Sequence, residues 1–199
     1  MSQPDQFRPL AHKTLPPEGC FVMNSFTPKR VSATSPAIDV MTDLSKVPLA
    51  TIRPDVNIQD AHQALISRGV RMLIVTDERQ RILGLITAND ILSEKPVMAA
   101  QKSGVKRSSL LVSDVMTAEQ ELETLHLRDK EKAQVGDIVA TLKEVARAHA
   151  LVVSDGPDGS QRLVGVFSAT QIARQMGVQI QTHEMARTFA EIEALIAGV

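Results

Sequence analysis

The sequence predicts an α/β fold built from two copies of one strand–helix–strand–strand–helix unit. Short apolar runs of strand length alternate with helical patterns, which is typical of α/β proteins. Asp39-Val40-Met41-Thr42 returns as Asp114-Val115-Met116-Thr117, and the strand-like stretches MLIVTD and ALVVSD end at Asp77 and Asp155 with nearly the same offset. The offset grows only where turns lengthen, as expected for two copies of one structural unit.

These repeats divide the chain into five predicted regions. Prolines recur over residues 1–36, so we expect an irregular N-terminal arm there. The first unit covers 37–96, the second covers 111–178, and 97–110 is interpreted as a linker. The segment 179–199 has the pattern of an amphipathic helix, with Met185, Phe189, Ile192 and Ile196 on one side. This apolar side either covers its own domain or meets a second chain.

The first helix of the first unit has clear start and stop signals. Asn57 is a suitable N-cap residue, and Gly69 a suitable C-terminal stop. Between them, Ile58, Ala61 and Leu65 recur at helical spacing, so one apolar face is expected to pack on a sheet.

Two strands and a short helix complete the unit. RMLIVT and RILGLIT are apolar runs of strand length, joined by the polar turn DERQ. A short helix, ANDILSE, is predicted directly after Thr87, and Pro96 lies just beyond it. The second unit repeats this order with a longer hairpin turn.

Composition excludes several classes of protein. The 22 basic and 23 acidic residues balance, so there is no overall attraction to nucleic acid or to anionic membranes. There is no Tyr or Trp to form stacking platforms for single strands. A signal peptide and an apolar run of membrane-spanning length are both missing from the sequence. One cysteine excludes an internal disulfide and fits a reducing compartment. We therefore expect a cytoplasmic protein that binds neither nucleic acid polymers nor membranes.

A hydroxyl followed three residues later by a polar side chain occurs twice, each time after a strand. Thr87 precedes Asp90, and Ser168 precedes Gln171. The spacing fits a capping box, which would explain both copies without a ligand. It also fits a ribose site, because a carboxylate at a helix N-terminus can accept hydrogen bonds from a vicinal diol. A glutamine does this less well, so the ribose interpretation predicts two unequal sites, the first being the better.

These residues resemble a known family. DVMT, followed by PDVNIQDAHQALISRGVRMLIVTDERQRILGLITANDIL, is similar to a CBS motif, and the second half repeats it. Together, residues 37 to 178 resemble a tandem CBS pair, also called a Bateman module. The resemblance implies two β-α-β-β-α units packed sheet to sheet around a pseudo-twofold axis, with adenosine ligands in clefts between them.

The resemblance also implies site residues. The family holds ribose with the Ser or Thr and the Asp of its G-h-h-T-x-x-D stretch, which fall here on Thr87 and Asp90, and on Ser168 with Gln171 in the second copy. A G-h-x-x-x-P stretch surrounds adenine and phosphate. It matches 69–74, with Ile74 in place of Pro, and 147–152, without the Gly and the Pro. The expected ligand-binding set is Thr87, Asp90, Val70, Arg71, Met72, Asn89, Thr51, Ser168 and His149. Arg71 and His149 would face phosphate or, alternatively, be ordinary residues at element boundaries.

No catalytic or metal-binding constellation is found in the sequence. The first hypothesis is a regulatory module that binds AMP, ADP, ATP or an S-adenosyl compound and requires no cofactor. The alternative is a structural or interaction protein with empty clefts. CBS pairs commonly associate through their helices, so the resemblance implies a homodimer. A regulatory role also implies an effector protein, which the sequence does not identify.

Overall fold

The computed structural model describes residues 29–126, 128, 132–178 and 185–197, together with positions 10, 11, 14 and 17. Most of the predicted arm therefore lies outside the described residues. The strands are β1 Thr42–Asp43, β2 Thr51–Ile52, β3 Met72–Thr76, β4 Ile82–Thr87, β5 Thr117–Ala118, β6 Thr124–His126, β7 His149–Asp155 and β8 Gln161–Ser168. The α-helices are α1 Ile58–Ser67, α2 Ala88–Leu92, α3 Lys95–Ser103, α4 Val112–Val115, α5 Val135–Glu144, α6 Ala169–Met176 and α7 Met185–Ala197.

Two four-stranded sheets of matching topology confirm the predicted α/β fold. Their strand orders are β2-β3-β4-β5 and β6-β7-β8-β1. In each sheet the first pairing is parallel and the other two are antiparallel. Ile74, Leu85, Leu151 and Val166 are buried together where the sheets face each other. Helices pack on the outer faces, which gives a pseudo-twofold pair of α/β units.

The two sheets exchange their short edge strands. β1 precedes the first unit but pairs with β8 of the second, whereas β5 precedes the second unit but pairs with β4 of the first. A Cβ on Gly84 would lie 2.3 Å from the carbonyl oxygen of Thr117, so glycine is what allows β5 to approach β4. The two cores follow the same exchange, because Val40 packs with the second unit and Val115 with the first. The units are therefore interlocked, although their sequences are consecutive.

The first helix has the predicted boundaries. The Asn57 side chain accepts a hydrogen bond from the Gln59 backbone N–H at 2.8 Å. Its predicted apolar face, formed by Ile58, Ala61 and Leu65, is buried. Gly69 follows the helix with a φ of +63°, a left-handed conformation that glycine adopts without steric cost.

The predicted linker is largely helical. Residues 95–103 form α3, and Pro96 lies in its first turn. Proline is well suited to that position, because its missing N–H would have no partner inside the helix. Pro96 therefore starts a new helix here, and Gly104 ends it with a φ of +68°.

The C-terminal helix covers its own domain. Phe189 and Ile192 of α7 are buried in the core of the second unit, and Lys143 of α5 forms an ion pair with Glu193. Ile196 is 44% exposed, and the side chain of Met185 lies outside the described residues. The predicted apolar side is thus used, at least at its centre, within the chain.

Candidate functional site

A cavity of about 350 Å³ opens where the N-terminal ends of α2 and α6 meet. Both units contribute to its wall, together with one residue of α7. The lining residues are His62, Arg71, Thr87, Ala88, Asn89, Leu92, Ser93, Ala148, His149, Ala169, Thr170 and Thr188. The cleft is therefore composite, because Thr87 and Asn89 come from the first unit while His149 and Thr170 come from the second.

A second cavity of about 180 Å³ shares two wall residues, Ala148 and His149, with the first. It lies beside β6 and the end of α5, and its wall contains many aliphatic side chains. The apolar lining residues are Leu85, Leu122, Leu125, Val145, Ala148, Ala150 and Leu151. Ala148 and His149, at the start of β7, therefore line both cavities, and polar side chains including Glu121, Glu123 and Arg147 complete the wall of the second.

Thr87 and Asp90 form the predicted capping box at the start of α2. Asp90 N–H donates to Thr87 Oγ1 at 3.1 Å, and Thr87 N–H donates to Asp90 Oδ2 at 2.9 Å. Thr87 Oγ1 also lies 2.7 Å from Asp90 Oδ2, and Lys95 Nζ donates to Asp90 Oδ1 at 2.9 Å. Since a carboxylate has about four acceptor positions, Asp90 retains about one for a ligand, and a second if Lys95 moves away.

The second copy does not form the predicted capping box. Ser168 makes no side-chain capping hydrogen bond. The Gln171 side chain instead accepts from Thr42 Oγ1 at 3.1 Å and lies 3.5 Å from the Gln175 side chain. Glutamine is longer than aspartate, so its amide reaches the neighbouring β1 strand. The two copies are unequal, as expected. The second copy lacks the capping box altogether, so it does not simply have a weaker one.

The pairing of the strands corrects the sequence alignment around His149. Sequence analysis matched His149 with Arg71. In the structure His149 is the cross-strand partner of Ser168, as Met72 is of Thr87, so His149 corresponds to Met72. Because the alignment used the offset of the strand ends, it was wrong by one residue at the strand start.

Two basic groups shape the electrostatics of the cleft. Burial lowers the pKa of the Arg71 guanidinium, and the charge of Arg174 lowers it further. Burial also lowers the pKa of His149 to about 4, with a further decrease from Arg71 that the carboxylate of Asp90 partly opposes. His149 is therefore neutral at pH 7, and the positive charge in the wall of the cleft comes from Arg71.

Asp90 is not among the residues that line this cavity, although its partner Thr87 is, and four other predicted site residues lie apart from the cavity. Val70 packs against the core of the first unit, and Met72 packs between the sheets. Thr51 lies in β2, where its carbonyl oxygen accepts from Arg68 at 2.9 Å. Ser168 ends β8 beside His149.

The predicted set contains four of the twelve residues that line the cleft and lacks the other eight. Among these, Thr170 is the repeat counterpart of Asn89, so the repeat could have indicated it. His62 lies in the wall because α1 packs beside α2, and no local sequence signal points to this.

The titration of His149 predicts a pH-dependent stability. The unfolded chain binds a proton on this histidine near pH 6.5, whereas the folded chain does so only near pH 4. Protonation therefore favours the unfolded state as the pH falls from 6.5 to 4, costing at most about 3 kcal/mol. Urea denaturation between pH 4.5 and 7 should show this loss, and His149→Gln should reduce the slope. Identical pH profiles of the two proteins would contradict the prediction.

The described part of the chain contains no group of three His, Cys, Asp or Glu side chains that could hold a metal ion. Among the same residues, none of the helices combines the length and apolar character that crossing a membrane requires.

The fold is that of a tandem CBS pair, and residues 37–96 match the family model of the CBS domain. An uncharacterised protein of Methanopyrus kandleri is 26% identical over 61 residues, which are 31% of this chain and 31% of that protein. The match thus spans less than a third of the relative's length.

Solved structures with this fold support the same classification. An uncharacterised conserved protein from Pyrococcus horikoshii has a TM-score of 0.53 at 19% identity, covering 76% of this chain and 99% of its own. A CBS-domain protein from Agrobacterium tumefaciens has a TM-score of 0.52 at 20% identity, covering 76% and 98%. CBSX2 from Arabidopsis thaliana, in complex with AMP, has a TM-score of 0.50 at 23% identity, covering 70% and 94%.

Proposed function

We propose that this protein is a regulatory module that binds an adenosine-containing ligand in the composite cleft and is not itself an enzyme. The observation that carries the proposal is a pair of adjacent cavities that share Ala148 and His149, one with several aliphatic side chains in its wall and the other with Arg71 and several hydroxyl and amide side chains. An adenosine compound has the same division, because its base is flat and largely apolar at its faces while its sugar and any phosphate are polar. CBSX2, which shares the fold, was crystallised with AMP.

Each part of such a ligand has a counterpart in the cleft. The base would lie among the aliphatic side chains beside β6. The ribose diol would face Asp90, whose side chain is 14% exposed and keeps about one acceptor position free. A phosphate would face Arg71 and the N-terminal end of α6, which offers free N–H groups and a positive dipole end. The site thus uses Thr87, Asp90, Asn89, Arg71 and His149 of the predicted set.

A thermal-shift screen of adenosine, AMP, ADP, ATP and S-adenosylmethionine tests this function. A ligand that binds only the folded state raises the melting temperature, by an amount that corresponds to about 2.7 kcal/mol at a hundred times its dissociation constant. The 2′-deoxy form of each binder should give a smaller shift, because it leaves an acceptor position of Asp90 unused. The proposal fails if no adenosine compound shifts the melting temperature. Equal shifts by the ribose and deoxyribose forms would contradict the role of Asp90.

We also propose that the protein is a homodimer. Dimerisation is equally the role expected under the alternative hypothesis, a structural protein that binds no ligand. Ile66 of α1 and Leu92 of α2 are 60% and 62% exposed on the first unit, although α3 packs against α2 as α7 packs against α6 on the second unit. Association through α1 and α2 would bury these side chains, and an isologous contact is the commonest solution. Sedimentation equilibrium should show a dimer that Ile66→Glu weakens and Ile196→Glu does not. A monomer at every concentration would exclude it.

A further inference from the structure

Arg71 in the cavity wall and Arg174 on α6 have no acidic partner among the described residues. The Arg71 side chain donates to Thr170 Oγ1 at the long distance of 3.5 Å. Arg174 is exposed on α6, one helical turn beyond Thr170. Among the described residues, neither arginine forms an ion pair with a carboxylate.

Arg174 is not one of the residues that line the cavity, but it lies next to the wall. Thr87 and Ser168 end equivalent strands, so Arg174 on α6 is the counterpart of Ser93, which follows α2 and lines the cavity. Arg71 donates to Thr170, and Arg174 follows Thr170 by one turn of α6, so the two guanidinium groups lie near each other. The charge of Arg174 accordingly lowers the pKa of Arg71, after the larger effect of burial.

We infer that the cleft takes a nucleotide with at least two phosphates, the outer phosphate lying between Arg71 and Arg174. This inference rests on the proposed function and adds a preference for the longer phosphate chain. One helical turn rises about 5.4 Å, so a single phosphate beside Arg71 and Thr170 leaves Arg174 without a counter-ion. A second phosphate in the chain extends along α6 and neutralises both guanidinium groups, which form strong charge-assisted hydrogen bonds with phosphate oxygens.

Lys95 and His149, the neighbouring basic residues, do not supply the positive charge that Arg71 and Arg174 offer to the phosphates. Lys95 is already paired with Asp90 at 2.9 Å. His149 is neutral at pH 7, because its pKa is lowered to about 4. A polyphosphate is thus the ligand whose charge removes the repulsion between Arg71 and Arg174.

Isothermal titration calorimetry with AMP and ADP, in the absence of divalent metal, tests the inference. We expect wild type to bind ADP more tightly than AMP, and Arg174→Gln to weaken ADP about tenfold while changing AMP less than twofold. Arg162→Gln is the matched control. It removes the same charge near the far end of β8, roughly 20 Å along the strand from Ser168, where Arg162 is paired with Asp158. Equal affinities of wild type for AMP and ADP would overturn the inference, as would an equal loss for both in Arg174→Gln.

Inorganic tripolyphosphate separates this inference from the function on which it rests. If no adenine nucleotide binds wild type, the proposed function fails. Binding of tripolyphosphate that is weakened about tenfold by Arg174→Gln, and not by Arg162→Gln, would then still support a polyphosphate site. If neither the nucleotides nor tripolyphosphate bind, the inference of a polyphosphate site is overturned. The melting temperatures of the unliganded variants verify that each remains folded.

Discussion

Replacing Asp90 with alanine is expected to weaken binding of an adenine nucleotide by about tenfold to a hundredfold. The substitution removes charge-assisted hydrogen bonds to the ribose diol, which contribute roughly 1.5–3 kcal/mol. It also removes one half of the capping box of α2, at a cost of about 1 kcal/mol in the free energy of unfolding. Calorimetric titration measures the first effect, and urea denaturation the second.

Asp137→Ala is the control that separates the two effects. Asp137 accepts from the Gln134 backbone N–H at 2.8 Å at the start of α5, as Asp90 does from Thr87. Neither Gln134 nor Asp137 lines either cavity, whereas Thr87, the partner of Asp90, lines the cleft. It should therefore lose comparable stability and keep full affinity. If Asp90→Ala binds every nucleotide as wild type does, Asp90 has no role in holding the ribose.

The largest loss of stability is expected from Phe189→Ala. Phe189 is 6% exposed and packs in the core of the second unit. Removing a buried phenylalanine side chain costs about 3–5 kcal/mol, because a cavity remains in addition to the lost apolar burial. The free energy of unfolding from urea denaturation measures this cost.

Ile196→Ala serves as its control on the same helix. Ile196 is 44% exposed, so its truncation should change the stability by less than about 0.5 kcal/mol. Equal changes in the free energy of unfolding of the two variants would contradict the burial of one face of α7 and the exposure of the other. A negligible effect of Phe189→Ala would mean that α7 is not part of the core.

Sequence reasoning succeeded where the signals are local. Asn57 and Gly69 define the ends of α1 through their own side-chain and backbone properties. Thr87 and Asp90, three residues apart, form the capping box of α2. The repeat extended the order of strands and helices to the second unit, but the capping box that it also predicted there, at Ser168 and Gln171, does not form. The two-sheet fold follows from such patterns together with the family resemblance.

Other features depend on neighbours that are distant in the sequence. Gln171 bonds to Thr42, which is 129 residues away, so its departure from the capping box leaves no local signal. The composite cleft depends on how the sheets face each other. The family resemblance implied a cleft between the units, but it did not indicate that Val70 and Met72 would lie apart from Thr87. Thr188 enters the wall because α7 packs beside α6, a contact that the helical pattern of α7 does not specify.

The exchanged edge strands have a consequence for the origin of the fold. A single ancestral copy would have had no second sheet to supply its missing edge, so it would have left one side of its hairpin open to pairing. Two such copies on separate chains could each complete the other, and fusion would then preserve the arrangement in one polypeptide. The present chain has the geometry of such a fused dimer, in which neither half can be removed without opening a sheet of the other.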